Sequence, residues 1–164
     1  MQRLILLRHA KAEGDAPSGQ DFDRPLAPRG LREAEAVAAK LAGLGLRPDL
    51  ALVSPAVRTR QTWEAVDAAM PGGAVRFDPS LYNAGAQELR RLASQSDEPG
   101  TVLVVAHNPG LQELAVELLV ETGGPAAFLA RVARAFPPAA AVVFDVDAQG
   151  RFVADSLFYP EKAA

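Results

Sequence analysis

Short apolar runs alternate along this chain with longer segments in which apolar residues recur every three or four positions. A continuous apolar run is typical of a strand buried in a parallel sheet, and the wider spacing is typical of an amphipathic helix. The runs predict six strands, at residues 3–7, 50–53, 75–77, 101–106, 140–146 and 152–157. The spaced segments predict one helix after each of the first three strands and two helices after the fourth.

Proline marks three of the predicted helix starts. Pro28 opens the first helix, and the pairs Ser-Pro at 54–55 and Asn-Pro at 108–109 open the second and fourth. Proline fits a first helical turn because its missing N–H has no partner there, and a Ser or Asn side chain can cap the turn. The pattern therefore predicts Ser54 and Asn108 as N-caps.

Strands that alternate with helices predict an α/β fold. The expected architecture is a three-layer α/β/α sandwich with a mostly parallel central sheet, helices on both faces and a closing antiparallel hairpin. The length of 164 residues fits a single domain over 1–164, with Trp63 expected in its core. The longest unstructured segment is expected at 12–27, directly after the first strand.

Composition narrows the possible functions. The chain has no cysteine, which excludes disulfides and thiolate catalysis and is compatible with a cytoplasmic location. Its net charge of −3 and the lack of long basic runs argue against a nucleic-acid partner. No apolar stretch approaches the length of a membrane span, so no membrane association is expected.

The candidate chemistry lies on the only two histidines, His9 and His107. Each follows a strongly apolar predicted strand, and the carboxyl ends of parallel strands meet at one edge of a sheet, where ligands bind. Arg8 precedes the first histidine, and Arg58 falls in the first turn of the second helix, where a bound anion would offset its unfavourable charge. Taken alone, each histidine could be a structural residue and Arg58 a solvated surface residue. Taken together, these residues favour a phosphoryl-binding site. P-loop, Rossmann and esterase motifs are absent, and two histidines without a ligand pattern make a poor metal site.

Three motifs in order resemble the histidine phosphatase superfamily, whose fold is phosphoglycerate-mutase-like. They are LRHAK at 7–11, with Ala10 in a position usually held by glycine, SPAVRTRQT at 54–62 and VAHNP at 105–109. The segment RPLAPRG at 24–30 is similar to the one that opens the first helix in the compact SixA-type branch. The chain also leaves no room for a cap domain.

The resemblance implies a role for each candidate residue. His9 is expected to be the nucleophile that forms a phosphohistidine intermediate, with Arg8 and Arg58 binding the phosphoryl oxygens. His107 is expected to donate a hydrogen bond to a phosphoryl oxygen, and Lys11 and Asn108 are further candidates for substrate binding. No metal or other cofactor is expected.

The chain departs from the family pattern at the general acid. Residues 81–85, LYNAG, hold no carboxylate, and the sequence does not place the other candidates, which are Glu13, Asp15, Asp21, Asp23 and Asp78. Without an acid, a good leaving group such as imidazole is favoured over an alkoxide. The expected substrate is therefore phosphohistidine on a partner protein, for example a phosphorelay histidine domain, or else a small phosphorylated molecule. A non-catalytic phosphate-binding module is the alternative.

Overall fold

A computed structural model describes residues 1–97 and 99–161. Within these residues the chain forms six strands, five α-helices and two short 3-10 helices. The strands are β1 Arg3–Arg8, β2 Leu50–Val53, β3 Ala74–Phe77, β4 Thr101–Ala106, β5 Ala141–Val146 and β6 Phe152–Phe158. The helices are α1 Pro28–Gly43, α2 Val57–Ala69, α3 Ala86–Ser94, α4 Gly110–Glu121 and α5 Ala126–Arg134. None of these helices is both long enough and apolar enough to cross a membrane.

All six strands belong to one sheet, in the order β3-β2-β4-β1-β5-β6. The first four in this order are parallel, whereas β5 runs antiparallel to β1 and β6 antiparallel to β5. The prediction of a mostly parallel sheet with a closing hairpin is confirmed. The last residue of β1, Arg8, lies opposite the last residue of β4, Ala106, so both central strands end at the same edge.

Two apolar cores lie on opposite faces of this sheet. Leu4 and Leu6 of β1 pack into one core with side chains of α3, α4 and α5, whereas Ile5 and Leu7 pack into the other with side chains of α1 and α2. This alternation follows from the strand period of two. Trp63 of α2 is buried in the second core, as predicted. Each such side chain stabilises the fold by about 1.5–3 kcal/mol through burial.

Both predicted N-caps are wrong. Helix α2 begins at Val57 and α4 at Gly110, and neither has a side-chain hydrogen bond at its N-cap. The Ser54 hydroxyl instead contacts His107, and the Asn108 amide donates to the Phe136 carbonyl at 2.8 Å. The local Ser-Pro and Asn-Pro signals were overridden because both side chains find partners on other elements.

The segment predicted as an unstructured loop at 12–27 is held at its base and contains a turn. Ala12 and Leu26 form an antiparallel bridge, and Asp21–Asp23 form a short 3-10 helix. Helix α1 packs so closely beneath it that a Cβ on Gly30 would lie 1.9 Å from the Lys11 carbonyl oxygen. Glycine at this position therefore allows α1 to approach the segment that follows β1.

Candidate active site

The two histidines meet at the carboxyl edge of the sheet. His9 directly follows β1, and its backbone N–H donates to the Ala106 carbonyl at 3.2 Å, while His107 directly follows β4. The two imidazole centroids are 5.3 Å apart. Both side chains are more than nine-tenths buried. The structure thus brings together the two residues on which the sequence-based site depends.

His9 carries a free lone pair on one ring nitrogen. Its Nδ1 lies 2.8 Å from the Ala10 carbonyl oxygen, and since a carbonyl only accepts, Nδ1 holds the proton and Nε2 is unprotonated. Burial lowers the pKa of His9 to about 3, and the neighbouring positive charges of Arg58 and Arg8 act in the same direction. At neutral pH the ring is therefore neutral, and the lone pair of Nε2 is available.

His107 is neutral as well, and both of its ring nitrogens have partners. Nε2 lies 2.7 Å from the Ser54 hydroxyl, and Nδ1 lies 3.4 Å from Nη2 of Arg58. Burial, and then the charge of Arg58, lower the pKa of His107 to about 4. The ring is also contacted edge-on by Tyr82, at 5.5 Å between centroids. These contacts fix the orientation of His107 toward His9.

Arg8 and Arg58 supply positive charge close to both histidines. Arg8 ends β1 and donates through Nη1 to the Phe136 carbonyl at 3.1 Å. Arg58 lies in the first turn of α2, as predicted, and is 6% exposed. The Nε atoms of both arginines are buried and have no hydrogen-bond partner among the described residues. An anion bound between the two guanidinium groups would supply acceptors, and a phosphoryl group has the geometry to do so.

Asp21 and Tyr82 complete the site. Asp21 accepts hydrogen bonds from Arg58, at 2.8 Å through its carbonyl and 3.1 Å through its carboxylate, and the carboxylate also accepts from the Tyr82 hydroxyl. The Tyr82 hydrogen bond, together with Arg58, lowers the pKa of Asp21 to about 2, so the carboxylate is ionised at neutral pH. The resting site therefore already holds an anion against Arg58.

The sequence alone does not place Asp21 and does not indicate Tyr82 as a site residue. Residues 81–85 have no periodicity and predict only a loop. The one signal in the sequence is indirect: Gly110, at the start of α4, would place a Cβ 2.2 Å from the Ala84 carbonyl oxygen. A glycine after the second histidine motif thus allows this loop to lie against α4, which brings Tyr82 over His107.

Lys11 and Asn108, the two further candidates, lie beside the site in different ways. Lys11 is exposed, and none of the hydrogen bonds or ion pairs within the described residues joins its side chain to the histidines. The Asn108 amide shares the Phe136 carbonyl with Arg8, and its Oδ1 is buried without a partner in the described part of the chain. Asn108 therefore braces the loop that holds Arg8.

Two of the other candidate acids, Asp23 and Asp78, bind partners outside the histidine pair. Asp23 accepts from the Ser18 hydroxyl at 2.7 Å, and Asp78 accepts from the backbone N–H of Ser80 at 2.9 Å. Within residues 1–97 and 99–161, no three His, Cys, Asp or Glu side chains form a cluster that could hold a metal ion.

Comparison with known proteins agrees with this geometry. The family model of the histidine phosphatase superfamily (branch 1) matches residues 4–97, more than half of the chain. The chain belongs to the histidine phosphatase superfamily. It is 38% identical over 125 residues to a chloroplast protein of Arabidopsis thaliana described as uncharacterised, covering 70% of this chain and 57% of that protein's length.

Solved structures place the chain in the SixA-type branch of this superfamily. A proposed phosphohistidine phosphatase SixA from Agrobacterium tumefaciens has a TM-score of 0.86 and 33% identity, covering 97% of this chain and 98% of that one. A protein histidine phosphatase SixA complexed with tungstate has a TM-score of 0.73 and 26% identity, covering 96% of this chain and 97% of that one. The fold is phosphoglycerate-mutase-like, the described residues show no added cap domain, and family membership supports phosphatase activity.

Proposed function

We propose that this chain is a metal-independent phosphatase that acts on phosphohistidine of a partner protein through a phosphohistidine intermediate on His9. The observation that carries the proposal is the pair of neutral, buried imidazoles 5.3 Å apart, bordered by Arg8 and Arg58. Tungstate, an analogue of phosphate, is bound by the SixA protein of similar fold, which supports an oxyanion site here.

The first step transfers the phosphoryl group to His9. The substrate is phosphohistidine with a proton on its other ring nitrogen. Nε2 of His9 attacks phosphorus, the N–P bond of the substrate breaks, and its electron pair leaves with the substrate ring as a neutral imidazole. Arg8 and Arg58 hold the phosphoryl oxygens, and His107 donates a hydrogen bond to one of them as charge develops. Water then attacks phosphorus, the N–P bond to His9 breaks, and inorganic phosphate is released.

The choice of an N–P substrate rests on the leaving group. An alkoxide must be protonated as it leaves, because its conjugate acid has a pKa of roughly 15, whereas that of imidazolium is about 6.5. Among the described residues, the carboxylate that contacts Arg58 is that of Asp21, and its low pKa leaves it ionised and without a proton to donate. This arrangement favours phosphohistidine over ordinary phosphate esters.

A protein substrate is favoured by the architecture. Phosphohistidine occurs on protein surfaces, and the described part of the chain places no cap domain over the site, which leaves room for a folded partner such as a phosphorelay histidine domain. A small phosphorylated molecule with an equally good leaving group would use the same residues.

The test is hydrolysis of a phosphohistidine protein, a small phosphoramidate and a sugar phosphate in the presence of EDTA. We expect the wild type to prefer the two N–P substrates and His9→Ala to lose turnover, with trapped ³²P-phosphoenzyme only in the wild type. Turnover that requires added metal, or that survives in His9→Ala, would contradict the mechanism. Tungstate binding without turnover would instead indicate a phosphate-binding module.

A further inference from the structure

Ser54 lies outside helix α2 and is held rigidly at the edge of the sheet. Its backbone N–H donates to the Val105 carbonyl at 3.0 Å, and its carbonyl accepts from the Thr59 hydroxyl at 2.6 Å. The residue is fully buried. Because both sides of its backbone are fixed, the Ser54 hydroxyl is held in one place, against the ring of His107.

This hydroxyl hydrogen-bonds Nε2 of His107 at 2.7 Å and has no other hydrogen-bond partner among the described residues. A serine hydroxyl can either donate or accept, so the contact alone does not fix the proton. The opposite nitrogen, Nδ1, lies 3.4 Å from Nη2 of Arg58, which can only donate. In the resting site Nδ1 therefore offers its lone pair, and Nε2–H donates to Ser54.

A bound phosphoryl group requires the proton of His107 to be on the other ring nitrogen. Its oxygens are acceptors, so His107 can bind one only if Nδ1, the nitrogen that faces Arg58, carries the proton. In the free site burial and Arg58 lower the pKa of His107 to about 4, so the ring is neutral near pH 7. For the ring to stay neutral when the phosphoryl group binds, Nε2 must lose its proton and accept a hydrogen bond. Within the described residues the Ser54 hydroxyl is the group placed to donate it, by turning about its C–O bond.

We propose that Ser54 is a positioning residue that sets the tautomer of His107, accepting from Nε2 in the resting site and donating to it when a phosphoryl group binds. One proton leaves Nε2 for solvent and one is taken up at Nδ1, so the ring stays neutral. The inference deepens the proposed function and rests on the donor role that it gives to His107.

Three variants separate this role from structural support. Ser54→Ala removes the hydroxyl, and Ser54→Thr keeps it. As a control, Thr101→Val removes the hydroxyl of a different buried residue, at the opposite edge of the same sheet. Loss of a donor that contacts the developing charge costs about 100- to 1000-fold in kcat, and we expect about 10- to 100-fold for Ser54→Ala, because it acts through His107. KM should change much less, Ser54→Thr should recover most of kcat, and Thr101→Val should retain it.

The tautomer can be observed directly, because the chain has only two histidines. In a ¹⁵N-labelled His9→Asn variant His107 is the single imidazole, and long-range ¹H–¹⁵N spectra report which nitrogen is protonated. We expect Nε2–H in the free protein and Nδ1–H with tungstate bound. In His9→Asn/Ser54→Ala the shift to Nδ1 should be incomplete or absent.

Two results would overturn the role of Ser54. One is a proton that stays on Nε2 with tungstate present, and the other is the same complete shift to Nδ1 without the hydroxyl. These spectra need no turnover, so they decide the matter even if the proposed hydrolysis fails. Conversely, an active wild type with an equally active Ser54→Ala would leave the proposed function intact and remove this inference.

Discussion

The two buried imidazoles make the stability of this protein depend on pH. In the folded protein the pKa of His9 is about 3 and that of His107 about 4, chiefly because both rings are buried. A histidine in an unfolded chain titrates near a pKa of about 6.5. Between these values the unfolded chain takes up protons that the folded protein does not, so acid shifts the equilibrium toward unfolding.

The size of this effect follows from the two pKa values of each ring. The stabilisation is complete above the unfolded pKa and is lost below it, at about 1.4 kcal/mol per pH unit for each histidine. Lowering the pH from about 7.5 to about 5 therefore removes roughly 2 kcal/mol per ring, or about 4 kcal/mol in total. Both histidines stay neutral in the folded protein throughout this pH range, because their folded pKa values lie below it. The loss of stability therefore depends only on the pKa of histidine in the unfolded chain. For a chain of this size it corresponds to a fall in Tm of roughly 8–16 °C.

The assay is urea unfolding at fixed ionic strength across this pH range. His9→Asn and His107→Asn each replace a titrating ring with an amide that does not titrate. Each variant should therefore halve the slope of the free energy of unfolding against pH. The double variant has no histidine left and should show almost no slope in this window. A free energy of unfolding that stays level in the wild type, or that falls as steeply in the double variant, would refute the reasoning.

Three further predictions concern packing, the resting anion and phosphate binding. Gly110→Ala places a Cβ 2.2 Å from the Ala84 carbonyl oxygen and should lower the free energy of unfolding by about 1–3 kcal/mol. The control Gly43→Ala should not be destabilising, because a Cβ there has nothing within 4 Å. Thermal unfolding of both variants checks this prediction. Asp21→Asn removes the carboxylate that competes for Arg58, so competitive inhibition by tungstate should become several-fold tighter; weaker inhibition would contradict this. Arg58→Lys loses the planar pair of donors and should reduce kcat/KM by about 100-fold, with an unchanged value as the contrary result.

The central strands and helix α1 could be predicted because their signals are local. Strand β4 occupies the predicted residues, and α1 begins at Pro28 and ends at Gly43 as expected. Their apolar patterns are long and match the faces that they bury. The pairing of β1 with β4, which brings His9 and His107 together, follows from the general behaviour of parallel sheets.

The contacts that complete the site could not be predicted, because they join residues far apart in the chain. Ser54 carries a strong local capping signal, yet its hydroxyl binds His107, 53 positions away. Tyr82 lies in an aperiodic loop, and its contact with Asp21 spans 61 positions. A pattern of neighbouring residues holds no information about such distant pairs. These residues meet only because the strands pair in a particular register, which is a property of the whole sheet.

The location of both histidines at the ends of β1 and β4 links the site to the slowest motions of the molecule. Local opening costs least in loops and most in central strands, whose amides exchange with solvent only when the whole domain unfolds. The amides of Leu7 and Val105, fully buried beside the histidines, should therefore exchange at the global rate, and those of 13–25 much earlier. Thermal inactivation would then report unfolding of the entire sheet, while the segment carrying Asp21 could open and close many times without disturbing His9 or His107.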